Sequence, residues 1–100
     1  MYEYQFPRMK GTNDFSAEKD LKQVEKIAEE VEEVKQAENF FDYLMELFDV
    51  IHACETCIRM TTAHLDKVDG NGEEMRERAY EAVIAKNAER GYYANAEGWV

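Results

Sequence analysis

Between positions 40 and 64, apolar side chains recur so densely at steps of three and four that the segment has almost no polar side. Phe40, Tyr43, Leu44, Leu47, Val50, Ile51, Cys54 and Ile58 line one broad face of a helix, and Phe41, Phe48 and Met60 widen it. A helix encircled in this way lies at the centre of a domain or faces a second subunit. Asn39 precedes it as an N-cap, its side chain able to satisfy one of the first free amides. Two ordinary amphipathic stretches flank this segment. From a Ser16 N-cap to about position 37, Leu21, Val24, Ile27, Ala28, Val31 and Val34 form one stripe. From 73 to 90, Met75, Ala79, Tyr80, Val83, Ile84 and Ala88 form another, closed by Gly91. Asp69, Gly70, Asn71 and Gly72 read as the turn between the second and third helices. The fold class expected is all-α: an antiparallel helical hairpin plus a third helix, forming four-helix bundles through oligomerisation.

Five Gly and one Pro are too few for a β-sandwich, which spends turn residues at short intervals. The 100 residues fit a single domain, 1–100, with an aromatic N-terminal arm at 1–15 and a C-terminal tail at 91–100. A chain this short buries only about 60–65% of its unfolded surface, so association into a homodimer or homotetramer is expected. Acids outnumber basic residues 22 to 12, a formal charge of −10 that argues against a nucleic-acid partner. Nothing approaches the roughly 18 apolar residues of a membrane span. The first residues lack the apolar run of a secretory signal, and two cysteines build no disulfide framework, so the compartment expected is the cytoplasm.

Acids carry the chemistry. Residues three apart on a helix project to one side, so Glu30 with Glu33, and Glu46 with Asp49, each form a pair of carboxylates. Folding back near Glu38 and Asn39 brings the two pairs level. Four converging carboxylates repel unless a divalent cation lies among them, and hard oxygen ligands select Mg²⁺, Mn²⁺ or Ca²⁺ over Zn²⁺. A single such pair is usually a solvated helix face. The second pair sits in the most apolar helix, where an unpaired acid costs free energy. Glu29 and Glu32 share the i, i+3 spacing of Glu30 and Glu33, so both registers are open; the stripe Ile27, Glu30, Val34 and Ala37 favours the second.

The order Glu29, Glu30, Val31, Glu32, Glu33, twelve residues, then Glu46, Leu47, Phe48, Asp49 resembles the signature of the MazG-like all-α nucleoside triphosphate pyrophosphohydrolases. The likeness covers the first two helices and extends more loosely to Lys86, Asn87 and Arg90. It implies hydrolysis of a nucleoside or deoxynucleoside triphosphate to the monophosphate and pyrophosphate, with Mg²⁺ or Mn²⁺ as cofactor. Glu30, Glu33, Glu46 and Asp49 would be the metal ligands, Glu29 the acid that orients or deprotonates water, and Lys86, Asn87 and Arg90 the phosphate-holding groups. A narrower relative would take dUTP, dCTP or phosphoribosyl-ATP. The rival of another class is a non-catalytic helical interaction protein.

Cys54 and Cys57, with His52 and His64 nearby, have the ligand types of a zinc site. In mid-helix, however, they share a face with Ile51 and Ile58 and read as small core residues. Tyr2, Tyr4, Phe6 and Phe15 in the arm read as rings covering a small core, with base stacking the lesser alternative. Lys22 and Lys26 read as surface partners of nearby acids.

Overall fold

The computed structural model describes residues 1–11 and 17–94, and three helices organise them: α1 (Ala17–Lys35), α2 (Phe40–Val68) and α3 (Gly72–Glu89). The expected Ser16 cap, Phe15 and the residues from 95 onward lie outside the described part. Among the described residues there is no strand, so the chain is all-α. At a rise of 1.5 Å per residue, the 29 residues of α2 run about 43 Å, which accounts for the 43 Å long axis of the molecule. α2 extends past the expected end at position 64 to Val68, and α1 stops at Lys35, short of position 37.

Local chemistry sets the helix ends. Asn39 caps α2 as expected, its side chain accepting from the Asp42 amide at 2.8 Å. Gly91, at φ 73°, ends α3: its amide donates to the Ala88 carbonyl and the Tyr92 amide to that of Asn87. The start of α3 departs from expectation, because Gly72 is its first residue rather than part of the turn. Asn71 makes no side-chain cap; Asp66, from the last turn of α2, accepts from the Gly72 amide at 2.7 Å instead. Gly72 is buried against α2, and a Cβ there would strike the Thr62 carbonyl and lie 2.6 Å from Asp66 Oδ1.

α1 and α3 each pack on α2 and have no contact with each other. The residues of α1 that face inward are Asp20, Gln23, Ile27, Glu30, Val34 and Ala37 at its end, a row at steps of three and four that is half polar. Leu21, Val24 and Val31, expected to share that inner stripe, are instead 60%, 50% and 40% exposed. Ile51 and Ile58 of α2 are likewise exposed in the single chain. Ala53 and Met60 are its only buried apolar residues among those described.

The arm supplies much of the missing cover. Tyr2 meets Tyr80 edge-on at 5.3 Å and Tyr4 at 5.4 Å; the Arg59 guanidinium lies over the Tyr4 ring at 4.0 Å. The residue that anchors it is Glu55, 1% exposed, which accepts hydrogen bonds from the Tyr2 hydroxyl and the amides of Gln5 and Phe6. Arg59 donates to the Phe6 carbonyl at 2.8 Å, one turn further along α2. Glu77 of α3 accepts from the Tyr2 amide at 3.1 Å.

Replacing Gly72 with Ala forces a methyl group into the α2 backbone, and overpacking of this kind costs about 1–3 kcal/mol. The variant should melt lower by roughly 4–8 °C per kcal/mol in a circular dichroism scan. An unchanged midpoint would show that α3 does not sit this close to α2.

Candidate metal centre

The half-polar inner face of α1 is what positions the acids. Gln23 Nε2 donates to the Ala53 carbonyl of α2 at 2.8 Å, fixing the register of the hairpin. Two turns on, Glu30 is pressed against α2 and is 6% exposed. Glu33, one turn beyond, and Glu46 from α2 close on it, so that one carboxylate oxygen from each lies within 4.8 Å of the others. The α1 pair that converges with Glu46 is therefore Glu30 and Glu33. Glu32 is exposed and paired with Lys35 at 3.0 Å.

Two carboxylate oxygens here, Glu30 Oε2 and Glu46 Oε2, are buried with no hydrogen-bond partner. A buried, unpaired carboxylate oxygen is costly, and the cost is removed when a cation binds it. Lys26 meets only part of the demand, its ammonium 2.9 Å from Glu30 Oε1 and 4.0 Å from Glu29 Oε2. The hydrogen bond and charge of Lys26 hold the Glu30 carboxyl below the usual range, against the effect of burial. Glu33 moves the other way: its hydrogen bond to Glu30, the Glu30 charge and then Glu46 raise it. An all-oxygen set that is partly desolvated and short of positive charge fits a hard divalent cation.

Asp49 stands outside the group of three. It lines an adjoining cavity of about 230 Å³ together with Lys26, Glu30, His52, Gln23 and Met9. Phe6 of the arm stacks on the His52 ring at 4.7 Å and 11°, while Phe48 meets Phe6 edge-on. Glu29 is exposed on the α1 turn beside Lys26. Among the described residues Lys86, Asn87 and Arg90 make no hydrogen bond or ion pair with the acids, and α3 packs on α2 and the arm rather than on α1.

Cys54 and Cys57 are free and half-buried, and burial raises both thiols. The only group among the described residues with the geometry to hold a metal is the glutamate trio, so the cysteines and histidines do not assemble a zinc site. Lys26, read from sequence as a surface partner, belongs to this centre. Glu55 and Arg59 were also missed as functional positions of the fold. The signal for them was present: an acid and a base one turn apart in the most apolar helix, where neither is stable alone. Comparison of the chain with protein-family models, curated proteins and solved structures gave no match.

The raised Glu33 carboxyl has a definite consequence for stability. The folded chain holds this proton more tightly than the unfolded chain does. Its favourable contribution is complete below the unfolded pKa and is lost as pH rises through the folded one. Glu33→Gln keeps a donor toward Glu30 and Glu46 at every pH. Without added metal, the variant should melt level with the parent chain near about pH 4 and a few degrees above it at pH 7. A constant difference across that range would remove Glu33 from the cluster.

Proposed function

We propose that the chain is a Mg²⁺- or Mn²⁺-dependent nucleoside triphosphate pyrophosphohydrolase of the MazG-like kind. The observation that carries this reading is the pair of buried, unpartnered oxygens of Glu30 and Glu46 at the point where three carboxylates converge. Glu30, Glu33 and Glu46 would hold the cation, with Asp49, one turn on from Glu46, completing the set. When bound, it supplies charge neutralisation along the phosphate chain and a lowered pKa for its water.

The chain's own residues do the rest. Water oxygen bonds to the α-phosphorus as the bond from that phosphorus to the bridging oxygen breaks. The products are a nucleoside monophosphate and pyrophosphate, and the proton released passes through Glu29 to solvent. His52 and Met9 wall the cavity beside the acids, with Phe6 stacked on the His52 ring. At about 230 Å³ this cavity suits phosphate groups, and the base lies outside it.

Assembly belongs to the same reading. A folded monomer of 11.7 kDa exposes about 5,900 Å², whereas this chain exposes 7714 Å². The excess, roughly 1,800 Å², is what one protomer contributes to an obligate homodimer. The surface is apolar in the right places: Leu21, Val24 and Val31 on α1, and Phe40, Phe41 and Leu44 on α2. An open groove of about 410 Å³ between α2 and α3, lined by Ile58, Leu65, Met75 and Val83, adds to it. A second copy placed on these faces makes four-helix bundles and can carry its own Lys86 and Arg90 toward the acids.

Pyrophosphate release measured across nucleoside and deoxynucleoside triphosphates, with and without Mg²⁺, tests the chemistry. Asp49→Asn should lower turnover by roughly 100-fold or more while leaving helicity intact. No release from any nucleotide would favour the non-catalytic interaction protein. Sedimentation at micromolar concentration should give a dimer or dimer of dimers, and Val24→Glu should weaken it; a monomeric parent chain would overturn the assembly.

A further inference from the structure

Among the described residues, Lys26 is the cation that both pairs with an acid of the cluster and lines the adjoining cavity. Its partner Glu30 is among the most buried acids of the described chain, and the second oxygen of that carboxylate faces the cluster without a partner. An ammonium 2.9 Å from Glu30 Oε1 and a divalent cation on the same carboxylate would lie a few ångströms apart and repel strongly in a partly desolvated site. Lys26 is half exposed and flexible, so it can leave. A place for it to go is the cavity it already lines together with Asp49 and His52.

We propose that Lys26 has two stations: counter-ion of Glu30 in the metal-free chain, and holder of the substrate's phosphate chain once Glu30 turns to a divalent cation. This rests on the pyrophosphohydrolase reading above. It assigns a phosphate-binding charge to the protomer's own α1, with which α3 has no contact. An acidic protein that binds a polyanion needs such a charge beside the metal, and a lysine ammonium is a strong donor to phosphate oxygen. Exchange between the two stations also makes the proposal directional. Removing Lys26 relieves competition for Glu30 while stripping a contact from phosphate, so metal and phosphate affinities must change in opposite senses.

The test is isothermal titration of the full chain, Lys26→Gln and Lys26→Arg, first with Mn²⁺ alone and then with inorganic tripolyphosphate at saturating Mg²⁺. Lys26→Gln should bind Mn²⁺ at least about fivefold more tightly, from removal of one unit charge about 4 Å away. It should bind tripolyphosphate about tenfold more weakly or worse, the usual loss of a charge-assisted hydrogen bond. Lys26→Arg should hold tripolyphosphate near the parent level. Equal tripolyphosphate binding by Lys26→Gln and the parent would overturn the proposal. So would weakening of both ligands without rescue by Arg, because a scaffold role does that. A parent chain that binds no Mn²⁺ would overturn the pyrophosphohydrolase reading itself, and this one with it, whereas Mn²⁺ binding with an indifferent Lys26 overturns this one alone.

Discussion

A single carboxylate, Glu55, lets a chain with almost no apolar core hold its arm in place. Burial by itself drives this carboxyl up. The Tyr2 hydroxyl, the Gln5 and Phe6 amides and the Arg59 charge outweigh burial, and the net shift is downward. The same contact acts on its partner: burial first, and then the Glu55 hydrogen bond, push the Tyr2 hydroxyl up to about 12. Backbone amides of an irregular arm would otherwise lie unsatisfied on α2, a cost that few apolar contacts here could offset. With those amides bound, Tyr2, Tyr4 and Phe6 can lie across α2 and α3. The site depends on the same anchor, since the arm sets Phe6 on His52 in the wall of the cavity that Asp49 and Glu30 line.

Glu30 is the second deeply buried acid, and its environment is the reverse. Glu55 has a donor for each of its oxygens, from backbone and hydroxyl groups that stay where the fold puts them. Glu30 has one exposed lysine on one oxygen and no fixed donor on the other, its remaining hydrogen bond depending on a proton held by Glu33, itself a carboxyl. Both acids are buried on helices packed against α2 or within it, so burial alone does not distinguish them. Satisfaction does. A fully donated carboxylate is structural; one left short of positive charge beside others of its kind is poised to take a cation.

The three helices were legible because their periods are strong and their stop signals are local: the Asn39 cap and the Gly91 terminator act within a few residues. The start of α3 was not, because its cap comes from Asp66 on the preceding helix, a tertiary contact that no local pattern announces. Convergence of Glu30 and Glu33 with Glu46 followed from spacing and the short turn. Asp49 sharing the cavity rather than the trio did not, as it depends on how the two helices are rotated about their axes. The same rotation explains the larger miss on α1. Leu21, Val24, Ile27, Val31 and Val34 span an arc wide enough to face two directions, and a hydrophobic pattern does not say which part meets the partner helix of its own chain.

That rotation ties the centre to the surface it leaves exposed. Turning α1 so that Leu21, Val24 and Val31 met α2 would bury more apolar area within one chain, at about 25 cal/mol per Å². It would also swing Gln23 and Glu30 off α2 and dissolve the carboxylate cluster. The observed arrangement gives up that burial and keeps the acids inward. A small protein gains nothing from this unless the unused stripe is covered elsewhere and the cluster is neutralised. In the function and assembly proposed above, a second copy on the exposed stripe would answer the first requirement and a divalent cation the second. The half-polar inner face of α1 creates both needs at once.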